Sequence, residues 1–345
     1  MEKIDFKKKN LYLTKEEKEF IIETLQDIPG ERLGIGQGKG HFGEYLQGHF
    51  DDINGDLIDR ACLAVPLVSH IDDIDLHKDD EVYYQLPYAS SGSIAIFVPE
   101  EDEKLEVEPK HKILSKKATE QTLDLLGKKE YGGLLKIITR GKTSMGLGTS
   151  TSDIVASMRA VSESFGVHLE NDLIAKKSVE IELASDGIMY DNATLFVTTK
   201  GIVLEDYGIN YPEVEILGFN SNHTEKGINT LDIPPRRYNK LEKKQLMDLR
   251  NRLGSALTNR DFNTLGKISI SSAKLNQRFV EKPYLEEIVK LASDNSAAGV
   301  VIAHSGTMMG IMFDPKKMPE SSKLSKIVEG LESIGYSDLK RYISK

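Results

Sequence analysis

The chain has 345 residues, of which 39% are hydrophobic and 29% are charged, a composition typical of a globular protein rather than a disordered or fibrous one. Its formal net charge of −9 argues against nucleic-acid binding, which usually needs a basic surface. The single cysteine, Cys62, excludes an intrachain disulfide and a cysteine-rich zinc site, and it favours a reducing compartment. At roughly 100–200 residues per domain, the length predicts two domains.

The first 20 residues are basic but are not followed by an apolar segment, so we expect no secretory signal. No stretch approaches the roughly 18 consecutive apolar residues that a transmembrane helix needs. The sequence therefore predicts a cytoplasmic protein with no membrane partner. A homodimer is compatible with these features.

The first half of the chain predicts mainly strands after an initial helix. Residues 1–31 predict a helical extension that ends at Pro29-Gly30. Short apolar runs bounded by turn residues predict strands at 63–68, 93–98 and 134–139. A loop rich in Gly, Ser and Thr follows the third run. A helix is then predicted over 153–165, because its apolar residues recur at three- and four-residue steps.

The second half predicts more helix. A helix over 172–184 leads to a turn and then to a hairpin over 194–206. The remaining predicted elements are a strand at 214–220, helices at 241–259, 262–279 and 284–293, strands at 300–304 and 309–313, and a helix at 322–335 that closes the chain. This order predicts the α+β class, with a first domain at 32–205 and a second at 206–345.

The loop between the third strand and its helix carries the clearest chemistry. Glycine lets the backbone approach an anion closely, and the first N–H groups of a helix lack partners at the positive end of its dipole. Strand, glycine loop and helix N-terminus together predict a phosphate site, although neither a Walker loop nor a dinucleotide fingerprint is present. The alternative is a cluster that only caps the helix. The predicted phosphate-binding residues are Lys142, Gly146, Leu147, Gly148, Thr149, Ser150 and Thr151.

Three segments resemble, in order, the motifs of the GHMP kinases. GLGTSTSD at 146–153 is similar to the phosphate loop of the family, GQGKGHFGEYLQG at 36–48 to its first motif, and AHSGTMMG at 303–310 to its glycine-rich third motif. The resemblance covers about residues 33–315. It implies a ribosomal-S5-like N-terminal domain and a ferredoxin-like C-terminal domain, with ATP in the cleft. Within the family, GEYLQG, GTSTSD and AHSGT are most similar to the L-threonine kinase branch.

The segment 180–192 supplies the carboxylates that phosphoryl transfer needs. A metal neutralises the phosphates, and a carboxylate often takes the hydroxyl proton. Because Mg²⁺ prefers hard oxygen ligands, Glu180 or Glu182 is a candidate metal ligand together with Ser150. For the base, the resemblance favours Asp191, which precedes an asparagine as in mevalonate-kinase relatives. Asp186 is the alternative, because the L-threonine kinase branch has its acid nearer that position.

The first and third motifs predict the substrate side. Lys39 is expected to orient the substrate or to lower the pKa of the base; its alternative is a solvated loop lysine. Glu44 and Gln47 are suited to an ammonium or hydroxyl group of an amino acid. Arg236 and Arg237 are more simply a surface pair than a carboxylate clamp. The predicted substrate-binding residues are Gly43, Glu44, Gln47, His304, Ser305, Gly306 and Thr307.

The expected activity is transfer of the γ-phosphoryl group of ATP, with Mg²⁺, to the hydroxyl of a small hydroxy amino acid. L-Threonine is the first substrate candidate, and homoserine or another hydroxy amino acid is the second. Two other functions stay open, a GHMP-type decarboxylase that phosphorylates its substrate transiently and a non-catalytic ATP or ligand sensor. The two acids at 186 and 191 argue against the sensor.

Overall fold

The computed structural model describes residues 33–51, 57–68, 82–142, 145–222 and 237–345. The predicted N-terminal extension at 1–31 and Arg236 lie outside these described residues. The strands are β1 Gly34–Lys39, β2 His41–Asp51, β3 Leu57–Pro66, β4 Gly92–Glu101, β5 Leu105–Glu108, β6 Tyr131–Arg140, β7 Asn192–Val197, β8 Ile202–Asn210, β9 Val214–Asn220, β10 Gly299–Ile302, β11 Met308–Phe313 and β12 Lys340–Ser344.

The helices connect and cover these strands. They are α1 Val82–Gln85, α2 Ile113–Leu125, α3 Thr149–Ser164, α4 Asn171–Glu182, α5 Lys240–Thr258, α6 Phe262–Asn276, α7 Leu285–Asp294 and α8 Ser321–Ser333. Among the described residues, none of these helices is both long enough and apolar enough to cross a bilayer.

Two sheets organise the molecule. The smaller one has the strand order β1-β4-β6-β5, and the larger one has the order β12-β9-β11-β10-β2-β3-β7-β8. Both halves of the chain contribute to the larger sheet and meet where β2 pairs with β10, with Glu44 opposite Ile302. This pairing brings the first motif beside the third. The boundary predicted between residues 205 and 206 lies within β8 and stays a prediction.

Alternate glycines on β1 determine how the phosphate-loop helix packs. A Cβ added at Gly34, Gly36 or Gly38 would lie within 1.8 to 2.1 Å of a backbone oxygen of α3. Because residues two apart in a strand face the same side, these three glycines form a surface without side chains, and the backbone of α3 packs directly against it. Ser152 Oγ also donates a hydrogen bond to Gly38 O over 2.8 Å. The first motif therefore holds the N-terminal turn of α3 against β1.

The largest core cluster anchors the phosphate loop. Met145 and Leu147 are buried in it together with side chains from both halves of the chain, among them Phe42, Leu195 and Ile216. Burial of a Leu or Met side chain stabilises a fold by about 1.5–3 kcal/mol. The buried side chains of Met145 and Leu147 therefore anchor the loop to the core, in addition to its backbone hydrogen bonds.

Two predictions about the elements are wrong. Helix α3 begins at Thr149 rather than at residue 153, because Gly148 takes a left-handed conformation, with φ of +67°, and serves as the N-cap. The chain also does not close on a helix, since β12 follows α8 and pairs antiparallel with β9. The prediction also missed β1, because its glycines have low strand propensity. In the structure β1 pairs antiparallel with β4.

Candidate active site

The phosphate loop lies between the first and third motifs and is in close contact with both. Gly146 and Gly148 have φ values of +87° and +67°, which L-residues with a side chain rarely adopt. A Cβ at Gly146 would lie 2.3 Å from the Cβ of Ala303, and one at Gly148 would lie 2.2 Å from Cδ2 of His41. Both positions therefore need glycine for conformation and for space.

Backbone hydrogen bonds fix the loop on both sides. Thr307 N and Met308 N donate to Met145 O over 2.9 and 3.1 Å, and His41 N donates to Leu147 O over 3.1 Å. Gly306 lies against the same segment, since a Cβ there would lie 2.2 Å from Met145 O. The three motifs predicted from separate parts of the chain thus meet in one site.

The predicted phosphate-binding hydroxyls belong to the first turn of α3. Thr149 and Thr151 are buried, whereas Ser150 is exposed. The first intrahelical bond runs from Ser152 N to Gly148 O over 2.9 Å, so the N–H groups of residues 149–151 precede it. Such groups carry the positive end of the helix dipole and bind anions. This turn is suited to hold a phosphate.

Glu182 lies directly against this turn. Ser150 Oγ and Thr151 Oγ1 donate to its two carboxylate oxygens over 2.8 and 2.6 Å. Burial raises the pKa of Glu182 to about 7, although the hydrogen bonds from Thr151 and Ser150 oppose this shift. A partly buried carboxylate beside two hydroxyl oxygens is a set of hard oxygen donors, which suits Mg²⁺.

The other predicted metal ligand lies elsewhere. The side chain of Glu180 is 54% exposed and pairs with Lys177 over 2.7 Å on the surface of α4. Two positions along a helix differ by about 200°, so Glu180 and Glu182 point to different sides. Of the two candidates, Glu182 is the one that contacts the described residues of the phosphate loop.

Asp186 lies beside the loop through His41. His41 Nε2 lies 3.0 Å from Asp186 Oδ2, and the Asp186 side chain is 26% exposed. Burial alone would lower the pKa of His41, but the charge of Asp186 and its hydrogen bond, together with the charge of Glu44, raise that pKa to about 9. The imidazole is therefore protonated at neutral pH, and its Nδ1 donates to Gly43 O over 3.2 Å.

Asp191 occupies a different environment. Lys39 Nζ lies 2.7 Å from Asp191 Oδ1, and the Asp191 side chain is 85% exposed. The hydrogen bond from Lys39 holds the pKa of Asp191 below its usual value. Arg159 supports the segment before Asp191 by donating hydrogen bonds to Met189 O over 3.0 Å and to Gln37 O over 2.8 Å. The two predicted bases thus have separate partners, His41 for Asp186 and Lys39 for Asp191.

Glu44 and His304 form a buried pair across the seam of the large sheet. Glu44 Oε2 accepts hydrogen bonds from His304 N and Nδ1 over 2.9 and 2.8 Å. Burial raises the pKa of Glu44, but the hydrogen bond and charge of His304, followed by the charge of His41, lower it to about 2. Glu44 therefore stays ionised.

Ser272 extends this pair. Its hydroxyl lies 2.8 Å from His304 Nε2, which gives the Ser–His–carboxylate connectivity of hydrolases. The serine is fully buried, however, and its Oγ accepts a hydrogen bond from Gln47 N over 3.0 Å. The arrangement holds α6 against β2 and does not expose a nucleophile.

Several buried acceptors near this pair lack protein partners within the described part of the chain. Gln47 Oε1, Asn276 Oδ1 and Thr307 Oγ1 are buried without a hydrogen bond. Asn276 Nδ2 donates to His304 O over 3.1 Å, which places the Asn276 amide beside the third motif. Because buried unpaired polar groups cost roughly 1–3 kcal/mol each, these oxygens fit a ligand rich in hydrogen-bond donors.

A cavity of about 490 Å³ opens at the start of the phosphate loop. Pro109, His111 and Lys112 form one wall, and the end of β6 with Lys142 and Met145 forms the other. Lys112 in this wall forms a buried ion pair with Asp153 over 2.7 Å. Thr139 Oγ1 and Ser93 Oγ donate to the same carboxylate, each over 2.6 Å. The cavity suits a nucleobase and ribose whose phosphates reach the loop.

Arg278, which follows α6, does not join the site. It donates to Glu242 and to the backbone oxygen of Arg237, and its side chain is half exposed, so it belongs to the surface. Gly43 is buried and accepts a hydrogen bond from His41 through its backbone oxygen, whereas Ser305 lies half-buried in the turn between β10 and β11. The prediction missed His41 and Lys112. The signal for His41 was present, since it is the titratable residue within the first motif between Lys39 and Glu44.

Comparisons with known proteins identify the family. The family model described as "GHMP kinases N terminal domain" matches residues 114–199, and the one described as "GHMP kinases C terminal" matches residues 255–335. The chain belongs to the GHMP kinases. The N-terminal match includes the phosphate loop, Glu182 and both candidate bases, and the C-terminal match includes His304.

Curated relatives of this GHMP kinase include two L-threonine kinases. The Salmonella typhimurium protein is 26% identical over 195 residues, which are 53% of this chain and 61% of that protein. The Citrobacter freundii protein is 25% identical over 170 residues, which are 49% of this chain and 58% of that protein. The matches thus span less than two thirds of the length of either relative.

Solved structures confirm the predicted two-domain α+β GHMP fold. A homoserine kinase from Cytophaga hutchinsonii aligns with a TM-score of 0.62 at 15% identity, covering 92% of this chain and 96% of that protein. A mevalonate kinase from Staphylococcus aureus aligns with a TM-score of 0.54 at 16% identity, covering 90% and 98%.

Proposed function

We propose that this GHMP kinase transfers the γ-phosphoryl group of ATP to the side-chain hydroxyl of a small hydroxy amino acid, with L-threonine as the first candidate. The observation that carries the proposal is that two carboxylates lie beside one helix N-terminus, one in direct contact with it and the other linked to it through a histidine. Glu182 accepts hydrogen bonds from the loop hydroxyls, and Asp186 contacts the His41 ring that packs on Gly148. Phosphoryl transfer needs this combination of anion site, metal ligand and base.

The phosphate loop and the adjoining cavity bind the nucleotide. The N-terminal turn of α3 holds the β- and γ-phosphates through its free N–H groups. The base and ribose occupy the cavity of about 490 Å³ beside Lys142. Glu182 and Ser150 would hold Mg²⁺, which supplies positive charge to the phosphate oxygens. The oxygen-only donor set and the raised pKa of Glu182 support this assignment, because a bound cation compensates a partly buried carboxylate.

Asp186 accepts the proton of the substrate hydroxyl. Its side chain is partly exposed, and its neighbour His41 also contacts the loop, which supports a position of the carboxylate close to the γ-phosphate. A general base must come within hydrogen-bond reach of the proton that it takes. Asp191 is the second candidate, since Lys39 orients it.

The substrate ammonium lies at the seam between the first and third motifs. One oxygen of the ionised Glu44 binds His304, and Gln47 Oε1 and Asn276 Oδ1 are buried acceptors without a hydrogen bond to any described residue. An ammonium group supplies three donors to such a set. These contacts, and the L-threonine kinases among the relatives, support an amino acid over a sugar.

The test is ADP release from Mg·ATP with L-threonine, L-serine, L-homoserine, galactose and mevalonate, with the product identified by phosphorus NMR. (R)-3-Hydroxybutyrate, which has the same configuration at the hydroxyl carbon as L-threonine but lacks the ammonium group, is the matched control and should react at least about a hundredfold more slowly than L-threonine. Turnover of galactose or mevalonate alone would remove the amino-acid assignment. Release of CO₂ with inorganic phosphate would indicate a decarboxylase. Tight ATP binding without any turnover would indicate a sensor.

A further inference from the structure

His41 joins the phosphate loop to Asp186. Its imidazole packs on Gly148 so closely that a methyl group there would lie 2.2 Å from Cδ2. Its backbone N–H donates to Leu147 O over 3.1 Å, and its Nε2 lies 3.0 Å from Asp186 Oδ2. A single buried side chain therefore contacts both the phosphate loop and the proposed base, Asp186.

Within the described parts of the chain, the other hydrogen-bond contact of Asp186 is weak. Cys62 Sγ lies 4.0 Å from its second oxygen, and a thiol is a poor hydrogen-bond donor. The charge-assisted bond from the imidazole is stronger than a neutral one. The position of the Asp186 carboxylate thus depends on His41.

A metal site is the alternative reading of this cluster. The nearest ligand atoms of His41, Glu44 and Asp186 all lie within 4.8 Å of one another, close enough to hold an ion. Both ring nitrogens of His41 already face hydrogen-bond acceptors, however, since Nδ1 lies 3.2 Å from Gly43 O and Nε2 lies 3.0 Å from Asp186 Oδ2. This geometry favours direct contact between His41 and Asp186.

We propose that His41 is a positioning residue that sets the distance between the Asp186 carboxylate and the phosphate loop. This inference rests on the proposed function, in which Asp186 takes the substrate proton. Misplacement of a reacting group by about 1 Å can cost about a hundredfold in rate, so the effect on turnover should be large.

Two substitutions separate the contacts of His41. In His41→Asn, the side-chain amide nitrogen takes the position of the native Nδ1 and keeps the hydrogen bond to Gly43 O. In His41→Gln, the side-chain amide nitrogen takes the position of the native Nε2 and reaches Asp186. We expect kcat to fall at least about thirtyfold in His41→Asn and to stay within about fivefold of the native value in His41→Gln. His49→Gln, on the same strand, is the control and should leave kcat unchanged. Equal losses in the Asn and Gln variants, or a larger loss in Gln, would overturn the inference.

A double-mutant measurement distinguishes positioning from a general structural role. When Asp186→Asn is already present, His41→Asn should slow turnover by no more than about twofold, because its effect acts through the missing carboxylate. A further loss as large as in the native background would show that His41 acts independently of Asp186.

A titration separates this inference from the proposed function. Nitrogen NMR of the His41 imidazole should show its pKa falling by at least about one unit in Asp186→Asn, because the paired charge is lost. If the native protein phosphorylates no alcohol but this shift occurs, the proposed function fails and the contact stands. An unchanged His41 pKa would overturn the positioning contact whatever the activity.

Discussion

Thr151 and Glu182 are 31 positions apart in the chain, yet Thr151 Oγ1 donates a hydrogen bond to Glu182 Oε1 over 2.6 Å. The bond joins the first turn of the phosphate-binding helix to the last turn of α4. It places a carboxylate at the positive end of a helix dipole, where negative charge is favourable. Burial nevertheless raises the pKa of this carboxylate to about 7, so desolvation outweighs the dipole and the two hydroxyl donors.

The pH dependence of stability without metal follows from this shift. The folded pKa of about 7 lies above the ordinary value of 4.5, so the folded state binds more protons than the unfolded state between these values. Stability therefore falls as pH rises from 4.5 to 7. Glu182→Gln removes this loss, and we expect its free energy of unfolding to exceed that of the native protein by about 1–3 kcal/mol at pH 8.

Urea unfolding at pH 5 and pH 8 in a metal chelator checks this expectation. Glu180→Gln is the matched control on the same helix, because its exposed ion pair should contribute no more than about 1 kcal/mol. Mg²⁺ with a non-hydrolysable ATP analogue should reverse the order at pH 8, since only the native carboxylate binds the ion. A metal-free Glu182→Gln protein that is less stable than native at pH 8 would refute the assigned pKa shift.

Substitution of the two candidate bases should separate their roles. Asp186→Asn should lower kcat by at least about a hundredfold while the affinity for the ATP analogue stays within about threefold, since general-base catalysis contributes about 10²–10⁴. Asp191→Asn should lower kcat by less than about tenfold, because its side chain is mostly exposed. Steady-state kinetics and calorimetric nucleotide binding measure both. The reverse order of losses would make Asp191 the base.

A methyl group at Gly148 should weaken nucleotide binding. Gly148→Ala and Gly166→Ala share a left-handed backbone, with φ values of +67° and +69°, so each should lose about 1–2 kcal/mol of stability through strain. Only at Gly148 would the methyl group meet another residue, since nothing lies within 4 Å of a Cβ at Gly166.

We therefore expect Gly148→Ala to bind the ATP analogue at least about tenfold more weakly, and Gly166→Ala to bind it within about twofold of the native protein. Isothermal calorimetry at one temperature compares them after circular dichroism has shown both to be folded. Similar affinities in the two variants would mean that the loop does not depend on contact with His41.

The buried ion pair of Lys112 and Asp153 should stabilise the fold more than a surface pair. Breaking a buried pair leaves one uncompensated charge and typically costs 3–5 kcal/mol, so Lys112→Met should lower the free energy of unfolding by about 3 kcal/mol. Lys116→Met, from a pair on α2 that is about half exposed on both sides, should change it by less than about 1 kcal/mol. Chemical unfolding measures both, and equal losses would contradict the prediction.

Contiguous features of the chain could be predicted from the sequence. The glycines, the hydroxyl residues and the start of the following helix lie in one short segment, so the loop could be singled out without knowledge of tertiary contacts. The same holds for elements with a strong local pattern, such as β9, whose predicted bounds agree with Val214–Asn220. Apolar periodicity also located most helices within a few residues, because it reflects the face that each helix buries.

Only the tertiary structure decided which side chains meet the loop. Glu180 and Glu182 are equal candidates in the sequence, and the packing of α4 alone turns Glu182 toward Ser150. The contact of His41 with Asp186 spans 145 positions, and that of Lys112 with Asp153 spans 41. Such contacts depend on how elements pack across two sheets, and residue type and spacing carry no record of that packing.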